Sequence, residues 1–66
     1  MKPTNLVSPA RTSLVESRPY QVCGWEAVIT QWNGGHPQTE QLATLASDGE
    51  AANLRARLIH GGWTEQ

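Results

Sequence analysis

A cysteine nucleophile with a histidine base, or a zinc site built from Cys and His, could draw only on Cys23, His36 and His60. A nucleophilic thiol needs a neighbouring base that a third group orients, and a structural zinc site needs four Cys or His ligands. The three residues come from separate segments of the chain, and no serine lies within a Gly-x-Ser-x-Gly motif. We therefore predict that the protein is not an enzyme and that it has no catalytic residues, no metal site and no cofactor.

Two glycine pairs, Gly34-Gly35 and Gly61-Gly62, are the remaining candidates for a phosphate-binding loop. Such loops place several spaced glycines between a strand and a helix, with a lysine where the phosphates are contacted directly. The first pair instead follows Asn33 and precedes His36-Pro37, which is typical of a hairpin turn extended into a longer loop. The second pair follows a predicted helix, so we interpret it as the helix end, with Gly61 in the left-handed conformation.

The chain has three tryptophans and one tyrosine but no phenylalanine. One interpretation is that two of the tryptophans form the hydrophobic core. The other is that at least one of them anchors a partner, because Trp, Tyr and Arg dominate the binding energy of protein interfaces. Trp32, beside the predicted turn, and Trp63, after the predicted helix, are the candidates for this binding role.

The first part of the chain differs in composition from the rest. Residues 1–19 hold three of the four prolines and show no sustained periodicity, which predicts a mobile N-terminal tail. Ser13–Glu16 is the one segment there that could form a short edge strand before Pro19. From Tyr20 to Trp32 the β-branched and aromatic residues predict a strand, with Gly24 marking a bulge.

The second half predicts a returning strand and a helix. Thr39–Ala46 is ambiguous, because its leucines have helical spacing, but its position after a hairpin turn favours a strand. Ser47 and Glu50 have the spacing of a capping box, so a helix should begin there and continue to about His60.

The predicted helix carries a broad apolar arc that should pack on the sheet. Its members are Ala51, Ala52, Leu54, Ala56, Leu58 and Ile59. Arg55 lies inside this arc, where a solvated arginine is not expected. In one interpretation the stem of Arg55 covers apolar surface or its guanidinium pairs internally with Glu26. In the other, Arg55 binds an acidic group on a partner. Arg55 and the neighbouring Arg57 therefore join Trp32 and Trp63 as candidate binding residues.

These elements predict the α+β class, with one ββα domain over residues 20–66. An antiparallel hairpin, or at most a three-stranded sheet, would be packed by one C-terminal helix. A chain this short buries only about 60% of its unfolded surface, and a single cysteine excludes an intrachain disulfide. The open face and free edge of so small a sheet suggest that another protein or a second copy, as in a homodimer, completes the fold.

The net charge of −1 is unevenly distributed. Residues 1–19 hold three basic side chains and one acid, whereas residues 20–66 hold two basic side chains and five acids. An acidic folded region argues against binding that depends on many phosphate contacts. We expect a cytoplasmic protein with neither a signal peptide nor a membrane span.

The sequence thus predicts a small non-enzymatic protein-binding module, such as an inhibitor, an adaptor or a minor subunit. It would dock on a larger protein or on a second copy of itself, and no small-molecule substrate is evident. The alternative is a small dimeric DNA-binding transcriptional regulator whose basic tail contacts the nucleic acid backbone. A third hypothesis is a structural subunit that folds only inside an assembly.

Overall fold

The computed structural model describes residues 4–66. In chain order the elements are β1 (Asn5–Val7), β2 (Ser13–Tyr20), β3 (Gly24–Asn33), β4 (His36–Leu45), α1 (Asp48–His60) and β5 (Thr64–Glu65). The strands form one antiparallel sheet in the order β4-β3-β2-β1-β5. The helix α1 connects β4, at one edge of this sheet, to β5, at the other edge. It packs on one face of the sheet between them. The predicted α+β class with one helix is confirmed, but the predicted sheet of two or three strands is wrong, since it has five.

Two strands, β1 and most of β2, come from the segment predicted to be a mobile tail. The possible short edge strand at Ser13–Glu16 does form, but it belongs to the longer β2, which lies inside the sheet between β3 and β1. β1 and β2 pair with Leu6 opposite Val15, and the two side chains are 0% and 1% exposed. Burying both offsets the entropy of ordering the segment. Pro19 is accommodated because β1 pairs with β2 only as far as Glu16, so no neighbouring strand on that side needs the N–H that proline lacks. The tail prediction is therefore wrong for these residues, and positions 1–3 lie outside the described part of the chain.

The predicted strand from Tyr20 to Trp32 is divided by a turn. Tyr20 ends β2, and residues 21–23 form the connection to β3. Gly24 is the first residue of β3 and has a φ of 104°, a conformation that favours glycine. The predicted bulge at Gly24 is therefore wrong. The irregular pairing lies on β4 instead, where Ala27 pairs with Ala43 but Val28 pairs with Gln41.

The hairpin between β3 and β4 confirms the predicted turn. Gly34 and Gly35 have φ values of 62° and 86°, as a two-residue turn of this kind requires. The predicted extension of the loop through His36-Pro37 is wrong, because both residues belong to β4. The strand interpretation of Thr39–Ala46 is confirmed as far as Leu45.

The helix α1 begins at the predicted capping box, although the Glu50 carboxylate bonds the residue before the cap and not the cap itself. Ser47 Oγ accepts a hydrogen bond of 3.2 Å from the backbone N–H of Glu50, and the Glu50 carboxylate accepts one of 2.8 Å from the backbone N–H of Ala46. At the other end the left-handed residue is Gly62, with a φ of 96°, and not Gly61, as predicted. No helix in the described part of the chain is long and apolar enough to cross a membrane.

The hydrophobic core lies between α1 and the sheet. Its buried members are Val15, Ala27, Leu45 and Ala51, and the side chains packed against them are Trp25, Ile29, Leu54, Leu58 and Trp63. The apolar arc of α1 is wider than the strip that touches the sheet, because a flat sheet contacts only one narrow side of a helix. Ala52, Ala56 and Ile59 are therefore exposed.

Candidate functional site

No described helix or strand packs on the face of the sheet opposite α1, and we call it the open face, although Val28 and Glu26 on this face are only 3% and 7% exposed. Side chains alternate between the two faces of a strand. Since Trp25, Ala27 and Ile29 pack into the core, Val28 and Trp32 point to the open face. Thr30 lies on the same face as Val28 and Trp32, and the antiparallel register places Leu14 on β2 opposite Thr30 and Val7 on β1 opposite Leu14.

A groove of about 450 Å³ crosses one end of the open face. Its apolar wall is formed by Trp32 on β3, Leu14 on β2 and Val7 on β1, and it continues to Thr64 on β5. Arg11, Ser13, Glu65 and Gln66 complete the lining. We call this the Trp32 groove. The side chain of Trp32 is 44% exposed within it, so a large aromatic surface is available for binding.

The turn between β1 and β2 positions Arg11 at the groove. Ser8 is buried, and its Oγ accepts hydrogen bonds of 3.1 Å from the backbone N–H groups of Thr12 and Ser13. The Ser8 carbonyl accepts a further bond of 2.9 Å from the N–H of Arg11. Arg11 has a φ of 61°, which places it in the left-handed region. Neither ion pair of the described residues includes it, so its guanidinium is available to a ligand.

A second polar cluster occupies the open face further along the strands. Glu26 is only 7% exposed. One of its carboxylate oxygens accepts a hydrogen bond of 2.8 Å from Arg18 Nε, and the other accepts one of 2.7 Å from Gln41 Nε2. The Arg18 hydrogen bond, followed by that of Gln41, holds the pKa of Glu26 below its ordinary value of 4.5. Glu26 therefore stays ionised at neutral pH and joins β2, β3 and β4, a structural role.

Acid should weaken the fold through Glu26. A carboxyl whose pKa is lowered by folding stabilises the protein above its unfolded value, and this contribution is lost as the pH falls through the folded value. We expect the urea midpoint to fall as the pH drops below about 4.5, the ordinary pKa of the carboxyl, and Glu26→Gln to reduce that dependence. Tryptophan fluorescence would measure both. Glu40→Gln, at an exposed site on β4, is the control, and equal pH dependence in the two variants would contradict the assignment.

The four candidate binding residues lie at different places. Trp32 lies on the open face, whereas Trp63 is half-buried and packs against the core. Arg55 forms an ion pair with Glu65 on β5, so the suggested pairing with Glu26 is wrong. Arg57 is exposed and lines a shallow cavity between α1 and β4. The structure does not bring these residues together, and the binding role of each stays a prediction.

The rest of the Trp32 groove was not predicted from the sequence. Val7 and Arg11 lie in the segment predicted to be a tail, and Leu14 lies in Ser13–Glu16, the possible short edge strand within it. A usable signal was present, because Leu6-Val7 and Leu14-Val15 are two short apolar runs separated by a Ser-Pro-Ala-Arg-Thr-Ser segment. Apolar runs divided by turn-forming residues are typical of a hairpin.

The three side chains considered first for catalysis or metal binding remain separated. Cys23 lies in the turn before β3, His36 opens β4 and His60 ends α1. Cys23 Sγ is 3.5 Å from the carbonyl oxygen of Trp25. Over residues 4–66 no group of three or more His, Cys, Asp or Glu side chains could hold a metal ion.

Comparisons with known proteins give no match to a family model, to a curated protein or to a solved structure. The class of the protein is therefore defined by its structure alone. It is a small α+β protein with a five-stranded antiparallel sheet, in which one face is covered by a helix and the other carries the Trp32 groove.

Proposed function

We propose that the protein is a small non-enzymatic binding module that docks on another protein, or on a second copy of itself, through the open face of its sheet. The observation that carries this proposal is the 44% exposure of Trp32 in a groove it shares with Leu14 and Val7. Tryptophan is enriched among the residues that contribute most to protein binding, particularly where it is surrounded by packed apolar side chains.

The rigidity of the groove supports the same function. Trp32 lies near the end of a ten-residue strand, and its backbone N–H donates a hydrogen bond of 3.1 Å to the Thr12 carbonyl. This bond ties β3 to the turn that carries Arg11. A surface held by the sheet in this way loses little conformational entropy when a partner binds.

The free edge of β4 is a second surface for the same function. β4 is ten residues long and pairs only with β3, and all its residues except Ala43 and Leu45 are exposed. An extended segment of a partner can add to such an edge through backbone hydrogen bonds. Pro37, which has no N–H, and the irregularity near Leu42 limit the regular part of this edge to positions 38–41.

The charges favour a protein partner over nucleic acid. Arg18 is paired with Glu26 and Arg55 with Glu65, so two of the arginines are already neutralised. Phosphate-dominated binding requires several free cations along one surface. Among residues 4–66, Arg11 is the one basic side chain of the open face outside these pairs, which suits a single acidic group on a protein.

Trp32→Ala should weaken docking while leaving the fold intact, because Trp32 lies outside the core cluster. Loss of a central tryptophan costs about 2 kcal/mol of binding, or about a 30-fold loss of affinity. The tagged protein would be purified from the cells that make it, and the amount of partner recovered with it would be measured. Light scattering on the purified protein would measure self-association.

Ile59→Ala is the matched control, because Ile59 is 46% exposed but lies on α1, away from the open face. Circular dichroism would verify that both variants are folded. If the parent and both variants associate equally, the open face is not the docking surface and the proposal fails.

A further inference from the structure

Arg11 occupies a backbone position that favours glycine. The other described residues with a positive φ are all glycines, namely Gly24, Gly34, Gly35 and Gly62. A side chain in the left-handed region costs free energy because its Cβ crowds the neighbouring carbonyl oxygen. Glycine at position 11 would form the same turn without this cost. An arginine here is explained by a role for its side chain.

The surroundings of Arg11 hold that side chain beside an apolar wall. Four hydrogen bonds of Ser8 fix the turn, including one from its own N–H to the Ser13 carbonyl, and Leu14, Val7 and Trp32 line the groove with Arg11. A guanidinium is always charged and presents a planar set of donors that matches a carboxylate. A cation next to an apolar wall binds best to a ligand that carries an acidic group beside an apolar one.

The geometry points to an acidic-apolar peptide segment of the partner as the ligand of the Trp32 groove. Its carboxylate binds Arg11, and its adjacent apolar side chain packs against Leu14 and Trp32. The groove, at about 450 Å³, falls within the range of about 300–1,000 Å³ typical of small-ligand sites. This inference rests on the proposed function and specifies the chemistry of the partner.

The charges of the groove favour a single carboxylate over a run of phosphates. Glu65 also lines the groove, but the register places it opposite Leu6, on the helix side of the sheet, where its carboxylate pairs with Arg55. A polyanion needs several cations along one surface, and among residues 4–66 Arg11 is the only basic side chain that lines the groove. The positive charge available to an acidic ligand is therefore confined to Arg11, in the turn between β1 and β2.

The test uses the full chain and two peptides that differ only in charge. N-acetyl-Asp-Leu-Leu-Asp-amide is the probe, and the same peptide with Asn in place of both Asp residues is its control. NMR titration should show shifts of the Arg11 and Leu14 amides and of the Trp32 indole with the acidic peptide. The uncharged peptide should bind at least tenfold more weakly. Equal binding of the two peptides would overturn the inference.

Arg11→Gly separates binding from folding. We expect its urea midpoint to equal or exceed that of the parent, because glycine removes the backbone cost. Its affinity for the acidic peptide should fall at least tenfold, to that of the uncharged peptide. Arg11→Lys should bind with intermediate affinity, because it keeps the charge but loses the planar donors. Ala10→Gly is the control for turn flexibility, and an equal loss of binding in that variant would overturn a role for the Arg11 side chain.

The remaining outcomes distinguish failure of this inference from failure of the proposed function. If neither peptide shifts the NMR signals of the groove residues but Trp32→Ala still reduces the amount of partner recovered, the inference is overturned and the protein-binding function stands. If a short single-stranded oligothymidylate binds the groove in an Arg11-dependent manner and the acidic peptide does not, both are overturned in favour of nucleic acid binding.

Discussion

Leu6→Ala is expected to remove most of the stability of the protein. Leu6 is 0% exposed and lies opposite Val15, which belongs to the hydrophobic core. Replacing a buried leucine by alanine costs about 2–5 kcal/mol, since transfer free energy is lost and a cavity remains. A core of this size supplies only about 3–5 kcal/mol. Urea unfolding followed by tryptophan fluorescence and circular dichroism should show a much lower midpoint or a largely unfolded variant.

Val22→Ala is the control for this experiment. Val22 is 79% exposed in the turn between β2 and β3, so its truncation should change stability by less than about 0.5 kcal/mol. If Leu6→Ala unfolds at the same urea concentration as Val22→Ala, β1 contributes nothing to the sheet. The N-terminal segment would then behave as the mobile tail that its composition predicted.

The sequence predicted the fold correctly where neighbouring residues determine the structure. The turn at Asn33-Gly34-Gly35 and the helix start at Ser47 depend on residues within a few positions of each other. β1 has three residues, too few to show a periodicity. Its pairing with β2 had the signal of two apolar runs divided by turn-forming residues. Its pairing with β5 joins residues far apart in the chain, and local sequence patterns could not predict that part.

The candidate site was predicted in part for the same reason. Trp32 could be recognised as a binding candidate from its residue type, but the groove needs Val7 and Leu14, which only long-range pairing brings beside it. The left-handed backbone of Arg11 has no sequence signal, because arginine is not a residue that favours this conformation.

The suggested ion pair between Arg55 and Glu26 could have been excluded from the sequence. The alternation that places Trp25 and Ala27 on the helix side of β3 places Glu26 on the open face. A pair between Glu26 and the helix was therefore excluded by a pattern visible in the sequence. The observed partner, Glu65, lies on β5, a two-residue strand that forms only because β1 is present to pair with it.

Trp63→Ala should destabilise the fold, in contrast to Trp32→Ala. Trp63 packs against the core, and its backbone N–H donates a hydrogen bond of 3.0 Å to the Leu58 carbonyl at the end of α1. Truncating a buried tryptophan costs about 3–5 kcal/mol, and because Trp63 is half-buried we expect about 2–3 kcal/mol. Trp32→Ala should cost about 1 kcal/mol. Urea unfolding monitored by circular dichroism would compare the two variants.

Measuring partner recovery for the same two variants, under conditions where each is folded, separates a structural tryptophan from a binding one. Trp32→Ala should lose the partner with most of its stability retained. Trp63→Ala should keep the partner once the unfolded fraction is accounted for, because Trp63 lies between the helix and the sheet and not on the open face. If instead Trp63→Ala loses the partner at an unchanged urea midpoint, the binding surface lies beside the end of α1, and the tryptophan after the helix is the anchor.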